Sequence, residues 1–352
     1  MPNAYFTIAK PANDPFKGYL PGSTERAELK AELAKQPSEI VKIPLIIGGK
    51  EVWTDRTIKV TMPHDHEHVI AECCMAGEKE LKMAIDAALA AKADWEAMPW
   101  EHRSAIFLKA ADMITGSYRK VLNAATMLGQ SKTVFQAEID IAELADFLRF
   151  GVWSAQETFK DQPASEAGIW NRQDYRPLDG FICAITPFNF TSIGGNLATA
   201  PAIVGNVALW KPSRTAVLSN YYYMKLLMWC GLPAGVINFV PCTGGDMAQY
   251  VVSHPKMAGF HFTGSTPFSR ACGSRSARIS HPMPTIPALS ARRAARTSSS
   301  PTILPISSPS RRQSSAARSS SRARSAPHAR ARSFPRASGL RWRRCSRSTP
   351  PR

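Results

Sequence analysis

Four strand-length runs, the continuous apolar FICAITP (181–187) and the largely apolar VALWKP (207–212), VINFVP (236–241) and MAGFHFTGS (257–265), are separated by segments of helical length. A strand that is apolar at every position must be covered on both faces, and that is the condition of a parallel sheet. The intervening stretches GGNLATAPAIVGN, NYYYMKLLMWCG and GDMAQYVVSH supply the covering helices. The alternation predicts an α/β fold, a doubly wound parallel sheet with helices on both faces, in which ligands bind outside the carboxyl ends of the strands.

Upstream the pattern differs. Residues 1–40 read as an extended arm followed by a short helix, STERAELKAELAKQ, in which Ser23 is placed to cap a helix holding Arg26 to Leu33. IPLIIGGKEVWT and TIKVTMPHDHEHVIAECCMA carry β-branched residues around a GGK turn and read as a small run of strands. Three amphipathic helices follow, over 78–98, 102–129 and 132–156, with apolar residues recurring at three and four, as at Leu81, Ile85 and Leu89. The expected organisation is an N-terminal arm (1–40), a nucleotide-binding domain with its preceding strands and helices (41–268), and a tail (269–352).

The tail accounts for the charge. The chain carries a formal +17, yet the 84 residues from Ser269 hold 19 Arg and no Lys, Asp or Glu, which leaves residues 1–268 at −2. A basic balance suggests a nucleic-acid or anionic-membrane partner, but the body is mildly acidic. The tail also holds 21 Ser, shows no sustained period of 2 or 3.6, and is expected to be disordered. Its only aromatics are Phe334 and Trp342, which argues against nucleic-acid binding. No apolar run reaches the roughly 18 residues of a membrane span, and the opening MPNAYFTIAKPANDPFKGYL lacks the basic-then-apolar order of a secretory signal. The seven cysteines form no C-x-x-C pair and no zinc spacing with histidine, and read as reduced thiols of an intracellular protein.

Three loops fall at the expected carboxyl ends: TPFNF (186–190), KPS (211–213) and TGSTPF (263–268). A lysine just past a strand can hydrogen-bond ribose or phosphate, and Gly264 and Ser265, if they open a helix, offer backbone N–H groups to an anion. Each also has a plainer reading: Lys211 as a solvated loop end, Gly264 as a simple turn, Asn189 as an Asx turn. No G-x-G-x-x-G fingerprint is present.

Taken together, ITPFNFTSIGGNLATAPAIVGNVALWKPS, GLPAGVINFVP and FHFTGST resemble the cofactor-binding half of the aldehyde dehydrogenase superfamily. NDPFKGYLPGSTERAEL, FLKAADMI, GQSKTVFQAEID and PFNFTSIGGNL narrow the resemblance to its 1-pyrroline-5-carboxylate dehydrogenases, from about Asn13 to Phe268. The resemblance implies NAD-dependent oxidation of L-glutamate γ-semialdehyde to L-glutamate, a soluble small-molecule activity in bacterial cytoplasm or mitochondrial matrix, and at least a homodimer for intact members. It implies that the Asn189 amide stabilises the oxyanion formed when a thiolate attacks the aldehyde. It also implies that Thr186 and Lys211 line the NAD adenosine site, and that Gly264, Ser265, Thr266, Pro267 and Phe268 form the turn passing the cofactor phosphates.

The family's nucleophilic cysteine and general-base glutamate, carried by motifs like GQKCS and GETGGK, should follow residue 268, and neither motif occurs. Shifting the reading frame changes this. If each codon takes the third base of one tail codon and the first two of the next, ALSARRAART (288–297) can be read as VVGETGGKD, and residues 317–327 as AFEFQGQKCS. The tail then reads as a catalytic segment in the wrong frame, with the break near Phe268 and Ser269, and the 352-residue chain is expected to be inactive.

Overall fold

The computed structural model describes residues 6–279 and 288–293. The described residues all fall within one compact unit, residues 1–296. The expectation of disorder over 294–352, like the shifted-frame cysteine codon, lies outside the described residues.

After an extended arm, α1 (Thr24–Lys35) opens with the Ser23 hydroxyl accepting from the Arg26 N–H at 3.4 Å, as the sequence predicts. Short strands follow: β1 (Val41–Ile43), β2 (Leu45–Ile47), β3 (Lys50–Val52), β4 (Thr57–Met62) and β5 (Asp65–Cys74). Gly48 and Gly49, at φ 57° and 74°, form the two-residue turn joining β2 to β3. A left-handed conformation at both positions matches the turn to the twist of a hairpin, and only glycine takes it readily.

Four helices come next: α2 (Glu78–Ala97), α3 (Trp100–Thr115), α4 (Arg119–Gln130) and α5 (Val134–Lys160). The single helix expected over 102–129 is therefore two. Gly116 leaves helical geometry at φ −99°, ψ −117°, and its N–H bonds back to the Asp112 carbonyl at 3.0 Å. The apolar repeat continues on both sides, so periodicity alone concealed a glycine stop.

The remainder is β6 (Phe181–Ile185), α6 (Thr191–Ile203), β7 (Val207–Lys211), α7 (Val217–Cys230), β8 (Ile237–Phe239), α8 (Gly244–Asp246), β9 (Met257–Gly264), α9 (Thr266–Ile279) and β10 (Ala288–Arg293). The helix expected over 245–254 shrinks to α8 and one widened turn, Met247–Val251, closed by the Val252 N–H on the Met247 carbonyl at 3.0 Å.

The expected run of early strands divides between two sheets. One has the order β1-β5-β4; the other has the order β10-β9-β6-β7-β8-β2-β3. Strands β8, β7, β6, β9 and β10 are mutually parallel, whereas β2 runs antiparallel to β8 and β3. Counted from β6, the parallel order is 3-2-1-4-5, the doubly wound arrangement, with its switch point between β6 and β9. Right-handed crossovers put α6 and α7 on one face and the β8–β9 connection on the other. Helices α3, α4 and α5 pack with the first pair, and α2 packs with that connection.

Order does not stop at Phe268. Helix α9 continues through Ile279, and β10 pairs with β9 from Ala288↔Gly259 to Arg293↔Gly264. Two apolar anchors four residues apart hold the start of α9. Phe268 lies 5.6 Å from the Phe262 ring and Cys272 is buried in the core, a local signal submerged in the Arg/Ser composition. The pairing of β10 is a backbone ladder, which does not need an apolar sequence.

The sheet core is aromatic where the parallel strands meet α7: Trp210 stands edge-on to Phe239 at 5.1 Å and to Tyr223 at 6.1 Å. Entry into β6 needs a glycine. Gly180 has φ 130°, and a Cβ there would lie 2.0 Å from the Lys256 carbonyl oxygen, which accepts the Phe181 N–H at 3.0 Å. Gly180→Ala is expected to cost at least about 3 kcal/mol, from strained backbone plus overpacking. An unchanged urea midpoint in that variant would refute the close approach.

The arm is stapled along α5. Asp146 accepts from the Asn13 amide (3.0 Å) and the Asp14 N–H (2.9 Å), and Gln156 exchanges hydrogen bonds with the Ile8 backbone. Beneath the arm, Glu138 is fully buried and bonded to Arg119, which also holds Asp14.

Candidate functional site

The carboxyl ends of β6, β7, β8 and β9 lie side by side. Ile185 is in register with Lys211 on one side and with Phe262 on the other, so β6 and β7 end at one level and β9 runs two residues further, to Gly264. The TPFNF, KPS and TGSTPF loops are thereby brought to one edge of the sheet.

Thr186 is buried, and both its N–H (3.2 Å) and its hydroxyl (3.4 Å) donate to the Lys211 carbonyl. Its hydroxyl thus ties two loops together. Lys211 is half-buried and has no ion pair or side-chain hydrogen bond among the described residues. Burial lowers its pKa, against a raising influence from the Cys242 and Cys183 thiols. A desolvated cation without a carboxylate partner suits an anionic or polyhydroxyl ligand at this edge.

The TPFNF loop is clamped at both ends. The Thr215 hydroxyl donates to the Phe188 carbonyl at 3.1 Å. Downstream, the Asp140 carboxylate of α5 caps α6 by accepting the Thr191 and Ser192 N–H groups, each at 2.9 Å. Lys132 neutralises Asp140 at 2.7 Å and lies 4.1 Å from the Phe190 ring centre. Asn189 sits between these clamps, exposed, with no hydrogen bond among the described residues, so its amide is available to a ligand oxygen.

On β9, Gly264 ends the strand and Ser265 leads into α9, the strand-to-helix opening the sequence suggests. Ser265 and Pro267 are exposed and Thr266 is half-buried. Phe268 plays a different part. It wedges against Phe262 and against Gly244, where an added Cβ would lie 2.9 Å from its ring. This draws the Gly244–Gly245 backbone after β8 toward the start of α9. Sequence reasoning missed that pair, although a Gly-Gly step a few residues past an apolar strand was the available signal.

A second cleft, of about 220 Å3, was also missed. It lies between α6 and β9, lined by Phe147, Ile193, Asn196, Leu197, His261 and Thr263. The His261 ring bonds the Leu197 carbonyl at 3.0 Å, and burial depresses its pKa. The Thr263 hydroxyl is buried without a partner among the described residues. Only helix packing brings α6 and β9 together, so no sequence spacing announces this cleft.

Among the described residues, the thiols near this edge are not activated nucleophiles. Burial pushes the Cys242 thiol up to about 12 and that of Cys183 well above its ordinary value, so both stay protonated at neutral pH. A dinucleotide fits the groups present: an unpartnered cation at Lys211, the orphaned Thr263 hydroxyl, and side-chain-free backbone at Gly244, Gly245 and Gly264.

The sequence profile of the Aldehyde dehydrogenase family matches residues 52–284. The chain belongs to the aldehyde dehydrogenase family. It is 50% identical to the delta-1-pyrroline-5-carboxylate dehydrogenase of Agaricus bisporus over 75% of this chain and 48% of that protein. It is 49% identical to the mitochondrial one of Dictyostelium discoideum over 74% of this chain and 47% of that protein. The chain thus spans about half the length of the curated relatives it matches. The structure resembles the Mycobacterium tuberculosis delta-pyrroline-5-carboxylate dehydrogenase bound with NAD, with a TM-score of 0.81 and 44% identity, over 83% of this chain and 55% of that one. No described helix of this chain is long and apolar enough to cross a membrane.

Proposed function

We propose that residues 41–268 form the NAD-binding part of a 1-pyrroline-5-carboxylate dehydrogenase, whose complete reaction oxidises L-glutamate γ-semialdehyde to L-glutamate. The observation that carries this is the unpaired, half-buried Lys211 at the carboxyl edge of a 3-2-1-4-5 sheet, beside a glycine turn that opens α9. Lys211 and Thr186 hold the adenosine side of NAD, and the backbone from Gly264 to Phe268 passes its phosphates. NAD supplies the hydride acceptor when bound. The Asn189 amide donates to the substrate oxygen as charge develops there, with the Asp140 cap of α6 and the Thr215 tie keeping its loop in place. Partners are the small-molecule aldehyde and a second copy of the intact enzyme; nucleic acid and membrane are not. The compartment is bacterial cytoplasm or mitochondrial matrix.

The glutamate and the cysteine of this chemistry belong to a shifted reading frame. Strand β10 supports that reading by its place, since residues 288–297, which read VVGETGGKD in the shifted frame, begin with the fifth parallel strand. The 352-residue chain in its own frame then binds cofactor and oxidises nothing.

Cofactor binding is tested by calorimetric titration of NAD into the full chain. Lys211→Met is expected to weaken binding about 10- to 100-fold, the worth of one charge-assisted hydrogen bond, with the urea midpoint nearly unchanged. Equal affinity of both chains would remove Lys211 from the site.

A further inference from the structure

The arm, α1 and the start of α5 line a cleft of about 390 Å3. Leu29, Leu33, Val134 and Phe135 form its apolar wall. Its charged lining consists of Lys17, Arg26 and Lys30, with no carboxylate among the lining residues. Helix periodicity explains the arrangement: Arg26, Leu29, Lys30 and Leu33 are spaced i, i+3, i+4 and i+7 and share one face of α1. Of the three acidic residues of α1, Glu28 pairs with Lys120 and Glu32 accepts from Gln36, and Glu25 is not among the lining residues. Lys17 and Lys30 have no ion pair among the described residues.

The turn that closes the cleft is held in an uncommon shape. Tyr19 has φ 50°, a left-handed conformation for a bulky residue, and its hydroxyl is fixed by Glu138 (2.7 Å) and Asn123 (2.7 Å). Arg26 donates to the Tyr19 carbonyl at 3.4 Å. At the rim, Phe16 and Phe135 pair edge-on at 6.3 Å while remaining 57% and 63% exposed, and neighbouring Leu20 is 68% exposed. Large apolar side chains left in water around a concave site ringed by cations mark a ligand with an apolar body and an anionic head.

We infer that this cleft binds a free medium-chain carboxylate, its alkyl chain along Leu29, Leu33 and Phe135 and its carboxylate between Lys17 and Lys30. Nothing in the proposed NAD or aldehyde chemistry uses these residues, so the site stands or falls independently of that reading.

The test titrates decanoate into the full 352-residue chain below its critical micelle concentration, with saturation-transfer NMR as the readout and decanol and decyltrimethylammonium as controls. Saturable binding of decanoate is expected, at least tenfold tighter than of decanol, with none of the cationic analogue. The double variant Lys17→Glu, Lys30→Glu, whose sites are exposed, should lose at least tenfold in decanoate affinity and keep its urea midpoint. Phe135→Ala should weaken decanoate and decanol alike. Absence of saturation, equal affinity for the neutral alcohol, or undiminished binding to the charge-reversed chain would each overturn the assignment.

Discussion

Inserting one base within the codons for Thr263 to Arg275 is expected to turn a chain without aldehyde oxidation into one that reduces NAD with L-glutamate γ-semialdehyde, followed at 340 nm. In the proposed shifted frame a glutamate codon would straddle Ala291 and Arg292, and a cysteine codon would straddle Ser325 and Ala326. The size of the effect follows from chemistry. Without a thiolate no covalent intermediate forms, and loss of a nucleophile costs on the order of 10^6 in rate. The thiols Cys183 and Cys242 cannot substitute, because burial holds them protonated. Resequencing the genomic DNA over the same codons asks the prior question of which frame the gene uses. NAD reduction by the 352-residue chain itself, or silence of the frame-shifted product, would refute the reading.

The second large effect concerns stability. Arg119→Met is expected to cost about 3–5 kcal/mol, because it leaves buried carboxylates without their counter-charge. Arg119 donates to Asp14 (2.5 Å), to the Pro15 carbonyl (3.1 Å) and to both oxygens of Glu138. Burial by itself would raise the Glu138 pKa. Hydrogen bonds from Arg119, the Lys17 N–H, Tyr19 and Asn123 outweigh it and hold the carboxyl below its ordinary value. A depressed folded-state pKa gives stability that is present above the unfolded value of about 4.3 and lost as pH falls through the folded value. In the variant the strongest lowering influence is gone, so burial counts for more and the charged form is penalised. The gap in urea midpoint between the two chains should therefore widen from pH 4 to pH 7. A gap independent of pH would mean that Arg119 contributes packing rather than charge.

The parallel half of the fold was legible because continuous apolar strands leave few alternatives, and the Ser23 cap and Gly48–Gly49 turn because each rests on local chemistry. The split at Gly116 was not legible, since the apolar repeat is in phase on both sides. Helix α9 and strand β10 were hidden by a composition that drew attention away from Phe268 and Cys272. At the site, the loops bearing Asn189, Lys211 and Gly264 could be placed by strand ends alone. Their supports could not. Asp140 reaches α6 from 51 residues earlier, and no spacing rule connects a helix interior to the cap of another helix.

The arm has a consequence in time as well as in space. Asp14 and Asp146 are 132 positions apart, and Glu138, the anchor of Lys17 and Tyr19, is made only slightly earlier. At ribosomal rates of roughly 5–20 residues per second, the arm of a nascent chain waits on the order of ten seconds for the helix that receives it. Through that interval Ile8, which packs against the core of the folded chain, has no surface to meet. Residues of the arm, made well before α5, are thus among the last to find their place.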